Sequence, residues 1–98
     1  MKTSSVRLKL KIFHGENCPN CPPAISLGKE LAARGFYIEF ICVDEVDGMA
    51  EAAFHMIQST PSIIVVNHND EEILSWRGKV PSMDEILPLL EALKNGRD

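Results

Sequence analysis

The chain opens on a period of two. In "VRLKLKIF", Val6, Leu8, Leu10 and Ile12 fall on one side and Arg7, Lys9 and Lys11 on the other. That alternation predicts a strand with one apolar and one polar face. In "AISLGKELAARG", Ile25, Leu27, Leu31 and Ala32 recur at helical spacing, and Gly35 supplies a stop signal. A helix is predicted from about Pro22 to Arg34. "FYIEFICVD" is rich in aromatic and β-branched residues and predicts a second strand. "MAEAAFHMI" lacks Gly and Pro and predicts a short helix that ends before Thr60-Pro61. "SIIVVN" is a continuous apolar run, expected of a strand buried on both faces. "HND" predicts a turn, and "EEILSWR" a strand pairing back as a hairpin. Ser82 can cap a last helix with Ile86, Leu87, Leu90 and Leu93 on one face. Pro88 is expected to kink that helix or delay its start. The order is β-α-β-α-β-β-α, with no repeat, linker or low-complexity segment. Two β-α-β crossovers, then a hairpin and a helix, describe an α/β sandwich on a four-stranded mixed sheet.

Composition narrows the function classes. With 98 residues the chain predicts one compact domain, residues 1–98. Its 45% hydrophobic and 24% charged residues are ordinary for a globular protein. A formal net charge of -4 gives no basic excess to displace counterions from phosphate, so no nucleic-acid partner is expected. No apolar run approaches the roughly 20 residues that span a bilayer, so no membrane role is expected. The start, Met1-Lys2-Thr3-Ser4-Ser5-Val6-Arg7, lacks the apolar stretch of a signal peptide, and a cytoplasmic location is the expectation. In that reducing compartment a purely structural disulfide is disfavoured. Three cysteines also leave one unpaired in any disulfide framework.

Chemistry gathers at Cys18-Pro19-Asn20-Cys21, between the first strand and the first helix. A thiolate at Cys18 would be stabilised by the free N–H groups and positive dipole end of the helix. Cys21, about one turn further on, could close a small disulfide with it and resolve a mixed disulfide formed with a substrate. Two other readings stay open. A zinc site needs four ligands, usually two such pairs. Here there is one pair, Cys42 lies in a strand, and His14, His55 and His68 are scattered. A metal would then be bound by this chain alone, or a metal or cluster would be shared across a dimer. Alternatively the thiols are inert.

The same residues resemble the thioredoxin/glutaredoxin superfamily over Val6 to Leu93. Cys18-Pro19-Asn20-Cys21 stands in the family's place, and Thr60-Pro61 opens the third strand. The resemblance implies a thioredoxin-like sandwich and thiol–disulfide oxidoreductase activity, with Cys18 and Cys21 as the catalytic residues. It implies a cis bond before Pro61, with Pro61 facing the cysteines and the Thr60 backbone binding substrate like an added strand. Gly78 matches a glycine that turns into the last helix. No cofactor is implied. The partners implied are protein disulfides and an upstream reductase, and the chain is expected to be a monomer. The Cys-Pro-x-Cys spelling is closer to glutaredoxins, while Pro22 is similar to archaeal disulfide oxidoreductases and to the thioredoxin-fold units of peroxiredoxin-reducing flavoenzymes.

The sequence also departs from its relatives. Asn17 replaces the thioredoxin tryptophan, and Ile12 the buried aspartate that relays a proton. Gly15 stands for the glutaredoxin lysine, and Arg77-Gly78-Lys79 for the Gly-Gly-Asp that holds glutathione. A flavin-dependent reductase is therefore expected ahead of glutathione. Elsewhere, Cys42 is expected to be a small buried hydrophobe, and Trp76 to pack or lie on an edge. His14 can tune Cys18 if it is near. Asp44-Glu45-Val46-Asp47 reads as the solvated opening of a helix, with Asp47 as its cap.

Overall fold

The computed structural model describes residues 7–95. Val6, the first apolar position of the opening alternation, lies outside them with the rest of residues 1–6. The alternation forms β1 (Lys9–His14), which pairs in parallel with β2 (Tyr37–Cys42). The apolar run forms β3 (Ser62–Val66), antiparallel to β1, and β4 (Glu72–Arg77) pairs back on β3. The sheet order is β2-β1-β3-β4. With α1 (Cys21–Ala33), α2 (Val46–Phe54) and α3 (Met83–Lys94), the element order is the expected β-α-β-α-β-β-α on a four-stranded mixed sheet.

Period-two geometry sends alternate side chains to opposite faces, and here both faces are covered. Leu10, Ile12, Ile63, Val65 and Trp76 meet Leu27 and Leu31 of α1 and Ile86 and Leu90 of α3. Phe13, Ile41, Ile64 and Val66 meet Ala52 of α2. Fully burying each Leu, Ile or Phe contributes about 1.5–3 kcal/mol relative to exposure, so these two clusters carry much of the fold's stability. β3 is buried along its whole length, as its apolar run predicts. Lys11 corrects the first expectation: it sits on the supposed polar face yet is 2% exposed, because α2 closes over that face.

Boundaries differ for local reasons. α1 starts at Cys21, and Pro22 and Pro23 occupy its first turn, where a missing N–H has no intrahelical partner to lose. It ends at Ala33, and Gly35 just beyond, with a φ of 99° that suits glycine, turns the chain away. α2 starts three residues before the expected Met49, because Gly48 is a helical contact residue rather than a breaker. A Cβ at Gly48 would lie 1.8 Å from the carbonyl oxygen of Cys42, so only glycine lets the helix approach β2 this closely. Glu45 is the residue before α2 and makes no side-chain cap; Asp47 lies inside the first turn, where its charge suits the dipole. Ser82 caps α3 as expected, its Oγ accepting from Glu85 N at 3.1 Å. Pro88 does not delay α3, which runs through it. The carbonyl that Pro88 leaves unpaired belongs to exposed Asp84 and can turn to water.

Candidate functional site at the Cys18–Cys21 turn

The register of the sheet brings the candidate residues to one edge. Phe13, next to the end of β1, pairs with Ser62, the first residue of β3, and Ser62 pairs with Arg77, the last residue of β4. The loop after β1 with Cys18, the Thr60-Pro61 step before β3 and Gly78 after β4 therefore lie side by side. Gly78 has a φ of 75° and donates its N–H to the Pro61 carbonyl at 2.9 Å, which ties the last turn to the proline. The Thr60–Pro61 bond is cis. A Cβ on Gly15 would stand 3.6 Å from Thr60 Oγ1 and 3.4 Å from Asp44 Oδ2, so the β1 loop packs directly on the Thr60 step.

Cys18-Pro19-Asn20-Cys21 is a single β-turn, closed by Cys21 N–H donating to the Cys18 carbonyl at 3.1 Å. Proline is favoured at its second position, and Asn20, with φ -97° and ψ 3°, has the third-position geometry of a type I turn. The turn delivers Cys21 as the first residue of α1. Cys18 and Cys21 are disulfide-bonded, with Cα atoms 5.3 Å apart. Cys21 is buried at 2% exposure, whereas Cys18 is half-buried at the helix N-terminus. An attacking thiol needs access and a stabilised negative charge; of the two, only Cys18 has the access. Ile12, which takes the position of the relatives' aspartate, is fully buried among apolar side chains, so no carboxylate reaches the pair from there.

A polar cluster on the α2 face escaped the sequence reading. The Lys11 ammonium donates to Glu51, to Asp70 Oδ2 at 3.3 Å and to His55 Nε2 at 3.2 Å. An ammonium has only donors, so the imidazole nitrogen accepts. Burial pushes the Lys11 amine down, but the hydrogen bonds to Glu51 and Asp70 and their charges together hold it above its ordinary 10.5. The hydrogen bond from Lys11 holds the Asp70 carboxyl below its ordinary 3.8. The Glu51–His55 spacing of four on α2 was the available signal; Lys11 was hidden in the alternation, and Asp70 in a turn with φ 64°. Cys42 is half-buried rather than buried, and Trp76 is a packing residue whose Nε1 donates to Glu85 at 3.2 Å.

With this geometry in hand, the thioredoxin domain profile matches residues 8–91. No curated protein matches the sequence. Among solved structures, a mutant thioredoxin from Halobacterium salinarum is similar over 90% of this chain and 75% of its own, with TM-score 0.78 and 19% identity. The reduced thioredoxin pre-protein of Schistosoma mansoni is similar over 89% and 79%, with TM-score 0.72 and 20% identity. Thioredoxin 1 of Thermosipho africanus is similar over 86% and 91%, with TM-score 0.71 and 20% identity. At such identities these likenesses establish the fold. The profile match covers most of the chain, and the protein belongs to the thioredoxin domain family. At the level of that family, its Cys18–Cys21 disulfide is the Cys-x-x-Cys redox motif of a thiol–disulfide oxidoreductase. Among the described residues, no helix is long and apolar enough to cross a membrane.

Proposed function

We propose that this protein exchanges electrons with disulfides in other proteins through Cys18 and Cys21. The observation that carries the reading is the asymmetry of the pair: a half-buried Cys18 in the turn just before α1 is joined to a buried Cys21. In the reducing direction the Cys18 thiolate attacks one sulfur of the substrate disulfide. A Cys18–substrate bond forms, the substrate bond breaks, and one substrate thiol leaves. Cys21 then loses its proton and attacks the Cys18 sulfur, releasing the second substrate thiol. Two electrons and two protons have passed to the substrate, and the Cys18–Cys21 disulfide remains. The loop after β1 packs on the Thr60-Pro61 step, which supports assigning the Thr60 backbone to hold the substrate chain in extended form.

A reductase resets the pair. A fold neighbour, thioredoxin f2, is known in complex with ferredoxin:thioredoxin reductase, which supports a protein reductase as partner here. We assign a flavin-dependent reductase rather than glutathione, because Gly15 and Lys79 stand where a glutathione-binding site would need other residues. The protein acts as a monomer in the cytoplasm and needs no cofactor.

The test uses insulin as substrate with non-reducing gels. Cys18→Ser should abolish reduction. Cys21→Ser should accumulate a mixed disulfide through Cys18, because no neighbouring sulfur can displace the substrate. Cys42→Ser should leave turnover nearly unchanged. Glutathione with its reductase should drive turnover slowly compared with a dithiol. Two equally inactive single mutants, neither trapping a partner, would overturn the reading and favour a metal held by the pair.

A further inference from the structure

α2 is built inside out. Its inward positions are the small Gly48 and Ala52, with His55 just beyond its end, all buried. Its outward positions Val46, Met49, Ala50, Ala53 and Phe54 form an apolar stripe at helical spacing with no charge inside it. Val46 is 82% exposed and Phe54 70%. Met56 follows at 75% exposure and φ 58°, a backbone region where glycine is the usual choice and a bulky side chain is disfavoured. A soluble surface helix ordinarily carries charge on such a face, and a continuous exposed apolar stripe marks a place where something docks.

The surroundings say what docks. On one flank a groove of about 360 Å³ runs between Met49, Ala53 and Ile57 up to Thr60, which packs on Gly15 of the loop that leads to Cys18. Around the N-terminal end of the stripe stand Glu16, Asp44, Glu45 and Asp47, all exposed. None of these four is held in an ion pair among the described residues. A second copy carries the same net charge of -4, so its approach is repulsive overall. An anionic lipid surface is repelled for the same reason. A basic protein surface is attracted.

We propose that the outer face of α2 receives a polypeptide partner that carries a bulky apolar side chain flanked by lysine or arginine, close to the disulfide it exchanges with Cys18. This rests on the exchange reading above for where the partner's disulfide lies, but its binding can be measured without any exchange. The probes are two synthetic peptides of the same length, long enough to reach from Cys18 to Phe54. Each carries serine in place of the substrate cysteine and a phenylalanine beyond it, flanked by lysines in one peptide and by glutamates in the other. Calorimetric titration should find the lysine peptide bound at least about tenfold more tightly at low salt, a gap that narrows as salt is raised. The triple variant Val46→Gln, Met49→Gln, Phe54→Gln should lose about tenfold for the lysine peptide, and Met49→Gln alone part of that. Tyr37→Gln, which removes an exposed aromatic from the β2 edge instead, should bind as the parent does. Equal binding of the two peptides, or parent-like binding by the triple variant, overturns the proposal. So does a parent dimer that the triple variant dissociates in sedimentation, since a second copy would then own the face. Reduction of hydroxyethyl disulfide by the parent protein, a probe too small to lie along α2, tests the exchange reading separately.

Discussion

On one side of the sheet, large meets large: Leu10, Ile12, Ile63 and Val65 face Leu27, Leu31, Ile86 and Leu90 of two helices of 13 and 12 residues. On the other, Phe13, Ile64 and Val66 face a helix of 9 residues that presents Gly48 and Ala52. The first face is held by apolar area. The second has less area available from its helix, and gains hold in two other ways. α2 approaches the strand at backbone distance through Gly48, and Lys11 binds Glu51 and His55 near its end to the sheet and to Asp70. Phe13 and Phe54 each meet the His55 ring edge-on, which keeps the imidazole beneath the helix. The comparison teaches that a short helix can be anchored by closeness and charge, and that this frees its large side chains to point outward.

The largest effect that tests this contrast belongs to the two-helix face. Leu10→Ala removes a fully buried side chain from a rigid cluster and should cost about 4 kcal/mol in urea unfolding. On the α2 face the same stability is sensitive to an added methyl instead. Gly48→Ala drives a Cβ against the Cys42 backbone and should cost about 3 kcal/mol; a neutral result would mean α2 can lift off the sheet freely. Lys11→Met keeps volume but strands the carboxylates. Glu51 and Asp70 are a third to a half exposed and can turn to water, so the loss should be about 2 kcal/mol rather than the full cost of a buried broken pair. Hydrogen exchange should rise in α2 and stay low in α1 and α3 of that variant.

Smaller effects follow from pH. The Asp70 carboxyl is held below its ordinary 3.8, so its contribution is present above that value and is lost as pH falls through and below it. The Lys11 amine is held above 10.5, so its contribution is complete below 10.5 and is lost as pH rises through the higher folded value. The cluster therefore supports α2 across the wide interval between the carboxylate and lysine ranges. Screening at half-exposed Asp70 keeps the acid-side loss under about 1 kcal/mol. Asp70→Asn should flatten the acid limb of a stability–pH curve, and an unchanged limb would remove Asp70 from the account.

The same contrast explains what the sequence could and could not disclose. The two-helix face was legible, because period two in β1, helical spacing in α1 and α3, and the Ser82 cap all agree with what is observed. The redox turn was legible too, as two cysteines at fixed spacing between a strand and a helix. The α2 face was not. Its start is masked by a glycine that reads as a breaker, and its anchor is a lysine that reads as solvent-facing. Both residues take their role from a partner distant in sequence: Lys11 from Glu51 and Asp70, Gly48 from the Cys42 backbone. Local pattern contains no record of such partners.

Lys11 has one more consequence. Glu51, His55 and Asp70 bring ligand atoms within 4.8 Å of one another, a spacing that would suit a divalent ion. The ammonium that fills the space between them is tethered to the same chain by four methylenes. Because it already bonds to Glu51, Asp70 and His55, a divalent ion would have to displace it to take all three as ligands. The protein thus carries its own cation. α2 is thereby tied to the sheet by a charge that belongs to the chain itself.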